Sequence, residues 1–181
     1  KDLSVCPLTT HLPIKLVSKK INQKLIIEKI ELINNFFKKN MGFKPKIGVV
    51  GLNPHCESIL KFKEDEKILF PTVKLLKKKG YKIYGPFPAD TIFLKQNRKK
   101  YNVVLGMYHD QVLSPIKALK EYDAINITLG MPFYRVSPDH GTASNLVKKR
   151  KANPKSLIKC INFVNKFNKW SILKNLLDKI S

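Results

Sequence analysis

The chain has 181 residues, 43% of them apolar, enough for one domain with a sizeable core, and a formal net charge of +22. Such a charge first suggests nucleic acid or an anionic membrane surface, but only Arg98, Arg135 and Arg150 are arginines, and base and phosphate recognition draws on arginine's two-pronged fork. The lysines cluster as KK and KKK at the ends of apolar-periodic segments, where solvated faces and helix C-termini carry them, so nucleic-acid binding is discounted.

Cys6, Cys56 and Cys160 are widely spaced and match no CxxC pattern, which points to a reducing compartment and makes the cytoplasm the expected location. No run of 18 apolar residues exists, so no membrane association is expected. The chain starts at Lys1 without a methionine or a signal-peptide pattern, and is read as a fragment whose start is missing.

In chain order, a strand-like N-terminal segment leads to a helix over about Asn22 to Asn40, where Leu25, Ile26, Ile30, Ile33 and Phe37 recur at helical spacing. KIGVVGL (Lys46 to Leu52), bounded by Pro45 and by Asn53 and Pro54, reads as a buried strand. A helix from Glu64 to Lys79 must accommodate Pro71 and stops at Gly80; the strand KIYGPF follows. A further helix starts near Ala89, with Pro88 and Asp90 in its first turn, and leads to the strand NVVLGM (Asn102 to Met107). DAINITLG and FYRVSP are strand-like, a helix is expected near Thr142 to Lys151, and the last helix runs from about Pro154 to Ile180. Helices alternating with short buried strands imply an α/β sandwich with a largely parallel sheet, read as a single region over residues 1–181 with no internal linker.

Ligands gather at the C-terminal strand ends of such sheets. All four histidines lie in such segments: His11 in TTHLP, His55 in LNPHC, His109 in YHDQ and His140 in SPDHGTA. Neutral imidazoles suit borderline divalent ions, and three of them leave positions open for substrate oxygens. Individually, each loop histidine has the alternative of bonding nearby backbone. Asp90 at a strand-to-helix turn is either a functional acid or a first-turn charge. Asp110 either orients a histidine, transfers a proton or caps a helix. Lys117, Asn126 and Arg135, nine residues apart, have the chemistry of a cradle for phosphate and carboxylate, although Lys117 taken alone is one lysine among many, and Arg135 stands out because arginine is scarce. Gly141 and Thr142 can bring backbone amides to a phosphate or adenine, or serve as a cap.

TTHLP, VVGLNPH, GPFPADT, YHDQVLSPIK, NITLGMPFYRVSPDHGTA and KANPKSLI together resemble, in order and spacing, the C-terminal half of 4-hydroxythreonine-4-phosphate dehydrogenase, the pyridoxal phosphate biosynthesis enzyme with the isocitrate/isopropylmalate dehydrogenase-like fold. The resemblance implies that His11, His55 and His109 bind one divalent metal (zinc, magnesium or cobalt) at a homodimer interface. It implies that Lys117, Asn126 and Arg135 bind substrate, that Asp90 and Asp110 lie near the reacting centre, and that His140, Gly141, Thr142 and Ala143 meet the adenosine end of NAD or NADP. The implied reaction oxidises 4-phosphooxy-L-threonine to a 3-keto acid, which decarboxylates to 3-amino-2-oxopropyl phosphate. The N-terminal half, with the rest of the sheet and part of the cleft, is absent. After LNPH the chain reads CESILKFKEDE, without the glycines usual in the family, and after DHGTA it carries Asn145, Lys148 and Arg150 in place of an aspartate and glycines. Two alternatives stand beside this reading: a related decarboxylating dehydrogenase for a threonate phosphate, and an inactive fragment or basic binding module.

Overall fold

The computed structural model describes residues 3–57, 63–139 and 151–177, with side chains of the last helix to 167. The chain has an α/β fold with a parallel sheet and flanking helices, and its contacts divide it into two compact units, Lys1–Ile116 and Lys117–Ser181. The division falls inside a helix, not at a linker.

The first unit is built on four parallel strands, β1 (Ser4–Thr9), β2 (Ile47–Val50), β3 (Ile83–Phe87) and β4 (Val103–Tyr108), in the order β1-β4-β2-β3. Every residue of β2 is buried, as a strand covered on both faces requires. Helices α1 (Ile14–Lys20), α2 (Gln23–Met41) and α3 (Phe70–Lys78) pack against β4, β1 and β3 respectively.

The α2 sequence explains its own limits. Asn22 caps the start by accepting from the Leu25 amide at 2.9 Å, and Gly42 ends it in the left-handed region (φ 73°) with Lys38 and Lys39 in the last turn. The expected stripe is buried at Ile26, Ile30, Ile33 and Phe37, each worth about 1.5–3 kcal/mol of apolar burial.

The helix expected from Glu64 to Lys79 is a composite: a π-helical turn over Asp65–Leu69 runs into α3. Pro71 lacks an N–H and cannot continue the i→i−4 ladder, so the widened turn just before it absorbs the mismatch. The Thr72 hydroxyl donates to the Ile68 carbonyl and satisfies it from the side chain. Gly80 ends the segment at φ 83°. The helix expected near Ala89 is two short pieces, α4 (Ala89–Ile92) and α5 (Lys95–Arg98), each a single turn; the Asn97 side-chain amide bonds the Thr91 carbonyl across the break.

Two helices lacked a clear sequence signal. α1 has seven residues and one buried side chain, Val17, too short for a periodicity to show. The segment after NVVLGM, expected as a strand-end loop, is helix α6 (His109–Lys120), which carries Pro115 in its interior. Proline there reads as a breaker, yet Gln111, Val112 and Ile116 bury one face and hold the helix together.

The second unit holds the antiparallel pair β5 (Ile125–Thr128) and β6 (Arg135–Pro138), with α7 (Lys155–Leu177) packed against both strands. Ser156 is 1% exposed; its hydroxyl donates to the Ala124 carbonyl at 2.6 Å and accepts from the Asp139 amide at 3.2 Å. Meeting those two backbone groups turns Ser156, Cys160 and Phe167 inward and leaves Leu157 and Ile161 about half exposed. Asp123 binds Lys155 at 2.7 Å and Lys159 at 3.1 Å, and these two ammonium groups lower its pKa. The helix expected near Thr142 to Lys151, the segment His140–Ala143 and the end of the last helix at Ile180 lie outside the described residues.

Candidate active site

Strands β1, β4 and β2 are neighbours in the sheet, and each delivers one histidine just past its C-terminal end: His11, His109 and His55. The His11 and His109 rings approach to 5.9 Å between centroids, tilted by 45°. His109 opens α6, and its Nδ1 lies 2.7 Å from Asp110 Oδ1. With Nδ1 as the donor, Nε2 keeps its lone pair for a ligand, and the carboxylate sets the ring's orientation. This contact fits the orienting role among those open to Asp110.

Two of the three histidines have left-handed backbone, His11 at φ 52° and His55 at φ 58°, and Cys56 follows at φ 61°. Non-glycine residues in this region cost of order 1–3 kcal/mol and persist where surrounding contacts overdetermine them. Those contacts are visible around His55. Asp65, completely buried at the π-helical turn, accepts from the Leu52 amide at 2.8 Å, the Asn53 amide at 2.9 Å and the Asn53 side chain at 3.0 Å. It anchors the backbone that enters the Pro54–Cys56 turn, in which His55 and Cys56 take left-handed geometry. Gly51 is required by space: a Cβ there would sit 2.6 Å from Cys56 Sγ and 2.9 Å from Asp65 Oδ1. Burial first, then the nearby Asp65 and more weakly Asp90, push the Cys56 thiol up to about 11, against a hydrogen bond from Gly51 that lowers it. Asp90 is exposed in the first turn of α4.

Among the described residues, no three His, Cys, Asp or Glu side chains gather into a group able to hold a metal ion. The structure brings His11 and His109 together and sets His55 at the end of the adjacent strand, exposed to solvent. Two close imidazoles, one backed by a carboxylate, fit part of a divalent-cation site, with a further ligand needed to complete it.

The second unit holds the three proposed substrate ligands. In the register Asn126↔Ser137 and Thr128↔Arg135, side chains two apart share a face, so Asn126, Thr128, Arg135 and Ser137 lie on one side of the hairpin. Arg135 Nη1 donates to Thr128 Oγ1 at 3.0 Å, which steadies one prong of the guanidinium on this exposed face. Lys117 Nζ pairs with Asp139 Oδ2 at 3.0 Å, at the end of β6. Thr128 and Asp139 escaped the reading of the sequence, although Thr128 stands two residues after Asn126, the spacing that returns to the same face of a strand. Asp65 and Gln111 escaped it as well, because nothing local shows that Asp65, in a run of exposed charges, or Gln111, in a helix, is buried against backbone.

The family model for the pyridoxal phosphate biosynthetic protein PdxA matches residues 1–164. The chain is 43% identical over 163 residues to a 4-hydroxythreonine-4-phosphate dehydrogenase of Sulfurihydrogenibium sp., covering 89% of the chain and 50% of that protein. It is 41% identical over 157 residues to a D-threonate 4-phosphate dehydrogenase of Pectobacterium atrosepticum, covering 86% of the chain and 48% of that protein. The crystal structure of 4-hydroxythreonine-4-phosphate dehydrogenase from Klebsiella pneumoniae superposes with a TM-score of 0.76 at 36% identity, covering 88% of the chain and 48% of that structure. The chain thus spans about half the length of the relatives it matches. With nearly its whole length inside the family model, the chain belongs to the PdxA family of pyridoxal phosphate biosynthetic proteins.

Proposed function

We propose that this chain forms part of an NAD(P)-dependent, divalent-metal-dependent dehydrogenase that oxidises 4-phosphooxy-L-threonine in pyridoxine 5′-phosphate biosynthesis. The observation that carries the reading is the convergence of His11 and His109 at adjacent strand ends, with Asp110 behind His109. The reading extends the fold to the isocitrate/isopropylmalate dehydrogenase-like sandwich, completed by an N-terminal half, and places the protein in the cytoplasm. It includes a homodimer with a shared active site; exposed Leu157, Ile158, Ile161 and Phe133 provide apolar surface for association. Among the described residues no helix is long and apolar enough to cross a membrane.

In this reading His11, His55 and His109 hold the metal. When bound, the metal and the nicotinamide supply charge stabilisation at the reacting oxygens and an acceptor for hydride. The chain's own residues bind and orient. Arg135, steadied by Thr128, and Asn126 on the same hairpin face hold anionic and polar groups of the substrate, and Lys117 adds a positive charge. Asp90 or Asp110 accepts the hydroxyl proton as the C–H bond is oxidised, and the resulting 3-keto acid loses carbon dioxide to leave 3-amino-2-oxopropyl phosphate. His140, Gly141, Thr142 and Ala143 are assigned to the adenosine end of NAD or NADP.

Threonate phosphate as the substrate is the second reading, favoured by the 41% identical Pectobacterium relative. Both are tested by following NAD and NADP reduction in the full-length protein with either substrate, before and after metal removal. Metal-dependent oxidation of 4-phosphooxy-L-threonine, abolished in His109→Ala, is expected. Preference for D-threonate 4-phosphate would transfer the assignment to the second reading, and unchanged activity in His109→Ala would refute the metal assignment.

A further inference from the structure

Within YHDQ, the glutamine bridges two strand ends. Gln111 is 8% exposed; its Oε1 accepts from the Met107 amide at 2.7 Å, and its Nε2 donates to the Gly51 carbonyl at 2.8 Å. Met107 lies two residues before His109, and Gly51 four residues before His55. Where the parallel strands stop pairing, their outward backbone groups lose their ladder partners, and one planar amide replaces a rung between β4 and β2. The same Met107 accepts, at its carbonyl, the Thr9 hydroxyl at 2.8 Å, two residues before His11. A continuous buried line of hydrogen bonds therefore runs Thr9–Met107–Gln111–Gly51 and crosses all three histidine-bearing strand ends. Added bulk beneath it is excluded: a Cβ on Gly106 would stand 2.4 Å from Val112 and 3.1 Å from Gln111 Oε1.

We propose that Gln111 is a positioning residue for the histidine site: it sets the spacing and relative orientation of the β4 and β2 ends from which His109 and His55 project. The proposal rests on the metal-dependent reading above. Gln111 reaches its effect solely through backbone, since both of its bonds go to main-chain atoms. An amide suits this place because it donates from one end and accepts at the other, as the bridge needs; a methionine of similar length does neither.

The test is Co²⁺ titration of the full-length protein, freed of metal, read by the visible d–d spectrum and by calorimetry. Wild type, Gln111→Met, His109→Ala and Val73→Ala are compared, the last altering a buried α3 residue outside the site as a stability control. Gln111→Met should bind Co²⁺ about ten- to a hundredfold more weakly, with an altered spectrum, as losses of partners behind metal ligands do. Val73→Ala should lower the melting temperature yet keep wild-type affinity. Wild-type affinity in Gln111→Met, or equal weakening in Val73→Ala, overturns the positioning role while leaving the metal reading intact. Failure of the wild type to bind, or full binding by His109→Ala, overturns the metal reading and this inference with it. Should Gln111→Met not fold, Gln111→Glu keeps the side-chain length and the acceptor to Met107 but replaces the donor to Gly51 with an anionic oxygen; weakened Co²⁺ binding is expected, and unchanged binding overturns the proposal.

Discussion

Replacing Asp65 by asparagine tests how the strained turn bearing His55 is held. The carboxylate receives three N–H groups, two from the backbone of Leu52 and Asn53 and one from the Asn53 side chain, with both oxygens engaged. An asparagine has one acceptor oxygen. Whichever way its amide turns, its NH₂ faces at least one of these donors, and a buried donor without an acceptor costs about 1–3 kcal/mol. The bonds that survive weaken too, from about 1.5–3 kcal/mol for a charged acceptor to about 0.5–1.5 kcal/mol for a neutral one. Relief from burying a charge offsets part of this loss, which leaves a net destabilisation of about 2–4 kcal/mol. At roughly 2–4 °C per kcal/mol for a chain of this size, the melting temperature should fall by roughly 4–16 °C. Hydrogen exchange should accelerate most at the Leu52 and Asn53 amides, which lose their acceptor directly. Melting followed by circular dichroism and residue-resolved exchange measure the two effects. A melting temperature within about 1 °C of wild type, with exchange at those amides unchanged, would refute the anchoring role.

Three further predictions concern groups outside the proposed chemistry. With its pKa raised to about 11, the buried Cys56 should react with iodoacetamide about a hundredfold more slowly at pH 8.5 than an ordinary thiol; labelling at an exposed thiol's rate, read on its peptide by mass spectrometry, would contradict this. As pH rises the unfolded chain loses this proton first, so Cys56's contribution to stability is present below about pH 8.5 and lost between there and about 11; urea midpoints should fall more steeply over that window in wild type than in Cys56→Ala. In the second unit, Ser156→Ala strips the Ala124 carbonyl and the Asp139 amide of their shared hydroxyl and should cost roughly 2–4 kcal/mol, seen as a lower denaturant midpoint; an unchanged midpoint would show that the hydroxyl does not tie the hairpin to α7.

The strands and the long helices were legible because their signals are local. KIGVVGL announces a fully buried strand, and the Leu25-to-Phe37 stripe announces α2, by apolar spacing alone. Where two local rules conflict, the sequence becomes ambiguous. Pro115 argues against a helix while Val112 and Ile116 argue for one, and burial of that face decides the outcome. Pro71 leaves its helix standing but widens the preceding turn, a compromise that apolar spacing does not express. The apolar content of α7 gives no sign that Ser156 faces inward, since the hairpin's unpaired backbone sets that requirement.

The same division runs through the candidate site. Its histidines are visible because they stand directly after strand signals, and strand ends are where parallel sheets place ligands. The groups that hold the histidine-bearing segments in place are invisible, because a buried glutamine or aspartate is defined by partners 60 or 13 positions away along the chain. YHDQ combines both kinds of residue in four letters. Its histidine meets His11, its aspartate contacts the histidine's Nδ1, and its glutamine turns back into the sheet to join β4 to β2. Helix formation makes this division of labour possible: from the first turn of α6, Gln111 reaches inward while His109 and Asp110 remain accessible. An extended loop would place alternate residues on opposite sides but would not hold the glutamine's two bonds and the neighbouring imidazole in one rigid turn. The helical start of α6 thus places Gln111's two backbone bonds and the His109 imidazole in a single turn.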